Sequence, residues 1–149
     1  MNVSSIMNPN PVTLPVTETF GAALRLMHER RIRVLPVVDD KGVYKGTFDF
    51  HDVWKTVLPK AVLLGISSLT DLSFVSDAKD ILREKLAEAS SRPVGEFLDV
   101  PIPPVHPEMP VKEVVLLFYH HDGDIPVVDR KTQRLVGIVS PWEILDALR

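Results

Sequence analysis

The clearest hydrophobic pattern in the chain is a short apolar run with a proline inside it, Arg33-Val-Leu-Pro-Val-Val-Asp39, which returns as Asp124-Ile-Pro-Val-Val-Asp129. Such a run, rich in β-branched residues and bounded by charges, predicts a short buried strand. Proline cannot donate to a ladder, so Pro36 and Pro126 are expected at a sheet edge or where no donor is needed. One spacing of 90 residues relates the two prolines and also pairs Glu18 with Glu108, Leu24 with Val114 and Asp39 with Asp129. A repeat of that length is a whole structural unit.

The pattern around the first run fills in that unit. Ser4 to Met7 predicts a brief helical turn, halted by Asn8-Pro-Asn-Pro11, whose prolines favour extended backbone into a short strand at Val12-Thr-Leu14. Thr17 or Thr19 is placed to cap a helix in which Phe20, Ala23, Leu24 and Met27 share one face, and Arg30-Arg31 supply cations at its C-terminal end. Asp40-Lys-Gly42 predicts a turn from the central strand into a second one, Val43 to Phe48. A helix from Phe50 to about Leu58 is predicted to carry Val53, Trp54 and Val57 inward and to stop before Pro59. The unit is therefore β-α-β-β-α.

The second copy opens with Val94-Gly-Glu-Phe-Leu98, continues with a strand at Pro101 to Val105, and has a helix from Pro110 with Val111, Val114, Val115 and Phe118 on one face. Its hairpin turn, Arg130-Lys-Thr-Gln-Arg134, is one residue longer, so Val53, Trp54 and Val57 correspond to Ile144, Leu145 and Leu148. Between the copies, Ser76 to Ala89 is rich in helix formers with an apolar stripe of Ile81, Leu82 and Leu86. The expected fold is α+β: two units, residues 1–59 and 94–149, packed with pseudo-twofold symmetry, and a helical segment within 60–93.

Composition narrows the function. A chain of 149 residues with 45% hydrophobic and 25% charged content is ordinary for a globular protein. A net charge of −3 gives no basic footprint for nucleic acid. No cysteine is present, which removes disulfides, thiolate catalysis and thiolate metal sites. The longest apolar run is too short to cross a bilayer and the first residues lack signal-peptide character, so a cytoplasmic location without membrane contact is expected. His120-His-Asp-Gly-Asp124 contains metal-competent side chains, but adjacent helical histidines diverge by about 100° and suit a helix C-terminus without an ion. No nucleophile with a paired base is apparent and no phosphate-cradling glycine motif is present, so an enzyme is not expected.

Two β-α-β-β-α units, each with h-P-V-V-D in the middle and G-h-h-[ST]-x-x-[DE] before the last helix, resemble a tandem CBS-domain pair, the Bateman module. That resemblance implies a regulatory module binding an adenosine nucleotide such as AMP, ADP or ATP, with S-adenosylmethionine the lesser expectation, in the cleft between the repeats. It also implies flat dimers. The motif Gly137-Ile-Val-Ser-Pro-Trp-Glu143 then assigns Ser140 to phosphate and Glu143 to ribose, although the same pair forms a capping box that needs no ligand. In the first copy Asp52 keeps the ribose position, Asp49 stands where a hydroxyl is usual and repels a second negative group, and Arg33 faces phosphate. Adenine is expected against Thr13 and Pro103 and the strand residues Val34 and Ile125. Gly123 and Asp124 occupy the place of Arg33, so the two clefts differ. A ligand-free interaction module is the other open reading. Trp54 and Trp142, beside apolar neighbours on the second helices, point to a homodimer that signals to an effector protein of unknown identity.

Overall fold

A computed structural model describes residues 1–58, 63–65, 78–98 and 103–149. Thr19 caps α1 (Phe20–Arg30) by accepting from Ala22 N at 3.1 Å, and the helix buries Phe20, Ala23 and Met27. The short β1 (Leu14–Pro15) pairs in parallel with β2 (Val34–Val38), which pairs antiparallel with β3 (Tyr44–Asp49). The hairpin turns where the Asp39 carboxylate accepts from Lys41 N and Val43 N, both at 2.9 Å, and where Gly42 takes a φ of 82°. Next come α2 (Phe50–Val57) and α3 (Ala78–Ser90), which packs against both α1 and α2. The second copy holds α4 (Val111–His120), β4 (Ile125–Val128), β5 (Leu135–Val139) and α5 (Pro141–Ala147). A parallel bridge from Val105 to Val127 stands where the first copy has β1. The expected strand start at Pro101 and helix start at Ser76 lie outside the described residues.

The two copies share details finer than element order. Pro36 lies opposite Thr47 and Pro126 opposite Ile138, and each hairpin shifts register between the first and second residues after its proline. The expectation of a sheet edge is corrected for Pro36, because β2 is the inner strand of three. The other condition applies instead. Pro126 O accepts from Val105 N at 3.1 Å, so the nitrogen of Pro126 faces the same flanking segment, one step before that segment engages. No donor is called for at that point.

Backbone bonding also revises the register of the repeat. Val94 N donates to Glu18 O at 2.7 Å and Phe20 N to Arg92 O at 2.9 Å. Their counterparts are Val3 N to Met109 O at 2.9 Å and Val111 N to Met1 O at 3.1 Å. Every residue in the first pair of bonds lies 91 positions from its counterpart in the second, so Ala23, not Leu24, matches Val114, and both are fully buried. The spacing returns to 90 at the prolines because the first copy has one extra residue, Arg31, turned into the left-handed region (φ 54°) after α1. In the second copy His121 leaves α4 in extended conformation without such a turn.

The same bonds show an exchange. Val94, in a 3-10 turn (Val94–Phe97), belongs to the core of Phe20, Leu35 and Phe48, while Val3, in the matching turn (Val3–Ser5), belongs to the core of Val114, Val127 and Val139. The hairpin tips pair across the pseudo-twofold axis, with Tyr44 N to Gln133 O and Leu135 N to Gly42 O, both at 3.0 Å.

Several positions expected inside are not. Trp54 is 55% exposed, Leu82 37%, Val115 42%, Leu145 54% and Leu148 66%. The helical stripe predicts a face, but the face is buried only where a neighbour covers it: α3 packs on α1 and α2 and Val57 is buried, while Trp54 on the same helix stays exposed, stacked on Phe50.

Gly137 is pressed against the N-terminal strap: a Cβ there would lie 2.7 Å from Met7 Sδ and 2.9 Å from Asn8 O. We expect Gly137→Ala to destabilise the fold by about 1–3 kcal/mol, read as a lowered thermal midpoint.

Candidate functional site

Each copy ends its hairpin by running a strand straight into a helix, and the residues at that turn carry the polar chemistry. In the first copy Asp49 caps α2, accepting from Asp52 N at 3.1 Å, while the Asp52 carboxylate accepts from Asp49 N at 3.0 Å. Asp52 is only 3% exposed, with Lys55 Nζ 3.8 Å away. Burial pushes its pKa up to about 7, against the Asp49 backbone donor and with help from the Asp49 charge. In the second copy Ser140 caps α5 with Pro141 at its first position; Glu143 accepts from Ser140 N at 2.6 Å and from the Ser140 hydroxyl, and Ser140 Oγ accepts from Trp142 N at 3.2 Å. Both turns are thus closed capping boxes.

The pairing of Ile125 with Val139 brings the half-buried Asp124 beside this second turn. Burial, then the charge of Glu143, raises the Asp124 pKa. The second turn is therefore doubly acidic, with no basic side chain among the causes of that shift.

The adenine-wall residues divide between places. Val34 meets the opposite copy, its Cγ2 lying 3.2 Å from where a Cβ on Gly123 would be, and Ile125, two residues after Gly123, is buried. Thr13 is exposed and lines an inter-copy cleft of about 370 Å³ with Pro9–Pro11, Val38, Gly42 and Leu135. Pro103 is exposed. Arg33, exposed before β2, lines a separate cavity with Phe50. The structure therefore brings together Asp49 with Asp52, and Asp124 with Ser140 and Glu143, but does not gather all the candidates in one pocket. The contribution of Pro9-Asn-Pro11 to a cleft wall went unread in the sequence; its rigid extended backbone was the available signal.

Among the described residues no three His, Cys, Asp or Glu side chains are placed to hold a metal, and no helix is long and apolar enough to cross a membrane.

Residues 3–53 and 94–149 each match the family model of the CBS domain. The chain belongs to the CBS-domain family, with two copies in tandem. The CBS pair is 27% identical over 146 residues to the CBS domain-containing protein DDB_G0289609 of Dictyostelium discoideum, covering 98% of this chain and 90% of that one. It is 39% identical over 51 residues to the carnitine transport ATP-binding protein OpuCA of Listeria monocytogenes, a match spanning 34% of this chain and 13% of that protein. Among solved structures, CBSX2 in complex with AMP superposes with a TM-score of 0.70 at 19% identity, covering 99% of this chain and 95% of that one; CBSX2 is an Arabidopsis thaliana protein. The CBS pair of MJ0100 with 5'-methylthioadenosine and S-adenosyl-L-methionine superposes with a TM-score of 0.64 at 20% identity, covering all of both chains. At such identities the structures establish a shared fold.

Asp52 also sets a pH dependence. Its folded pKa of about 7 lies above the ordinary 3.8, so the folded state holds the proton more tightly than the unfolded chain. The stability it contributes is full below about pH 4 and is lost as pH rises through about 7. The thermal midpoint is expected to fall from pH 5 to pH 8, and Asp52→Asn, which keeps an acceptor for Asp49 N, is expected to flatten that slope.

Proposed function

We propose that this CBS pair is a regulatory module that binds an adenosine compound bearing no more than one phosphate between its repeats and passes the resulting shift in their relative set to an effector protein. Support for an adenosine ligand comes from fold relatives holding AMP, or methylthioadenosine and S-adenosylmethionine. The observation that limits the phosphate count is a carboxylate at each turn, Asp49 in the first and Glu143, with Asp124 beside it, in the second. A helix N-terminus attracts phosphate, but carboxylates already occupying its first turn offset that field. In the first cleft adenine would rest against Thr13 and Val34, with Asp52 toward the ribose and Arg33 toward a single phosphate. In the second it would rest against Pro103 and Ile125, with Ser140 and Glu143 toward the polar end, where an uncharged or cationic tail suits Asp124. Either ribose contact would exchange a capping bond for a ligand bond, which gives binding a direct mechanical effect on the helix start.

Thermal-shift titration tests this reading. AMP, 5'-methylthioadenosine and S-adenosylmethionine are expected to raise the midpoint with concentration, and ATP to do so least. Arg33→Ala is expected to weaken AMP about tenfold or more while sparing methylthioadenosine. Ser140→Ala should lose about 1 kcal/mol of capping stability together with binding at the second cleft. If none of these compounds shifts the midpoint, the second reading stands: a ligand-free interaction module, favoured by two capping boxes that are satisfied without a ligand.

The assembly we propose is a homodimer through the helices of the second copy. Val115, Leu116 and Tyr119 on α4, Trp142 and Leu145 on α5 and Leu148 just after it are all at least 42% exposed. In the first copy, where α3 packs, Val57 is 7% exposed, whereas its counterpart Leu148 is 66% exposed. A contiguous apolar face of this kind is uncommon on a small monomer. Sedimentation at high micromolar concentration is expected to show a dimer that Leu145→Glu dissociates; a wild-type monomer would remove the proposal.

A further inference from the structure

A cavity of about 480 Å³ opens in the first copy, between the C-terminal half of α1, the start of β2 and the first residue of α2. Leu24, Met27, Ile32 and Phe50 make its apolar floor, and His28, Arg31 and Arg33 complete the lining, both arginines being exposed residues. That volume lies within the usual range for small-molecule sites, which are mostly apolar with a few fixed polar groups. Neither arginine takes part in an ion pair or side-chain hydrogen bond within the described residues, although carboxylates elsewhere hold Arg92, Arg130 and Arg149. Arg31 is the residue by which the first copy exceeds the second, and it occupies a left-handed position (φ 54°, ψ 39°) that glycine would fill with less strain. At the matching places the second copy has Val115, Phe118, Gly123 and Pro141, and no arginine.

We propose that this cavity is a second ligand site, for an anion carried on an apolar body: a carboxylate or phosphate ester whose charge is held by Arg31 and Arg33 and whose hydrocarbon part lies on Leu24, Met27 and Phe50. Two guanidinium forks present paired donors matched to the oxygens of such a group. The apolar floor supplies the rest of the binding through burial. The site goes beyond the adenosine clefts, sharing with them only Arg33, and it gives the module a second input on one repeat.

The protein contains its own reporter. Phe50 stacks on Trp54 with ring centroids 5.6 Å apart and an interplanar angle of 13°, and the chain has two tryptophans, so Trp142→Phe leaves Trp54 as the single emitter. Octanoate serves as the probe and 1-octanol as its uncharged counterpart. In the Trp142→Phe protein, octanoate is expected to change Trp54 emission saturably, with octanol at least about tenfold weaker. Arg31→Gly keeps the left-handed turn and removes one fork; it is expected to weaken octanoate about tenfold while leaving octanol and AMP unchanged. Leu24→Gln, with its melting midpoint checked, is expected to weaken both probes. Equal binding of octanoate and octanol, or octanoate binding unchanged by Arg31→Gly, overturns the proposal. So does a matching loss of AMP affinity in Arg31→Gly, which would make the cavity part of the nucleotide cleft. Absence of any adenosine binding bears only on the preceding proposal, because octanoate and octanol are read independently of it.

Discussion

Each apolar core of this CBS pair is closed by a valine from the opposite end of the arrangement, and the rest of the architecture depends on that exchange. Val94 is fully buried among Phe20, Leu35 and Phe48, and Val3 among Val114, Val127 and Val139. Full burial of such a side chain contributes about 1.5–3 kcal/mol, provided the turn carrying it is held in place. Backbone bonds hold it: Ser4 N to Pro107 O at 2.9 Å in one copy, Gly95 N to Val16 O at 3.2 Å in the other. The close approach at Gly95, where a Cβ would lie 2.6 Å from Val16 Cγ2, shows how little room the docking leaves. Once both turns are docked, the N-terminal strap runs along β5, with Asn8 and Ile138 exchanging backbone bonds at 2.9 and 3.0 Å, and this lays Pro9–Pro11 along the inter-repeat cleft.

Symmetry of backbone does not extend to chemistry. The two strand-to-helix turns have the same capping geometry, yet one is built from Asp49 with Asp52 and the other from Ser140 with Glu143. Burial raises the pKa of Asp52 to about 7, whereas the hydroxyl of Ser140 caps without charge. On the helical side the copies diverge again, α3 lying over α1 and α2 while α4 and α5 keep an open apolar face. One fold thus presents two unlike turns, one inter-repeat cleft, one cavity lined in part by arginines and one bare helical face.

The sequence made the local structure legible because its signals act over a few residues. Prolines 36 and 126, the Asp39 turn, the Thr19 cap and the apolar spacing of α1 each specify their own surroundings, and their recurrence established the repeat. What escaped it was decided at a distance. Arg31 reads as one more helix-terminal cation, and its left-handed turn shows only in the hydrogen bonds that shift the register from 91 to 90. Val115 and Leu148 lie on correctly placed faces, but their exposure depends on how the helices pack, and Trp54 stays exposed beside Phe50 on a helix that α3 does pack against. The family motif drew attention to the turns at Asp49 and Ser140, without showing that Asp52 is buried and that Arg33 borders another cavity.

The exchanged valines have a consequence for how such a module can exist at all. A single β-α-β-β-α unit, cut free, would have a hole where the other unit's turn belongs and a turn with nowhere to dock. Two identical units would satisfy each other by swapping those turns across an axis, which is the arrangement seen here with one polypeptide joining them. The chain is, in physical terms, a covalently tethered dimer of half-modules, and tethering is what frees the two halves to acquire different side chains at equivalent places without losing the partner each requires.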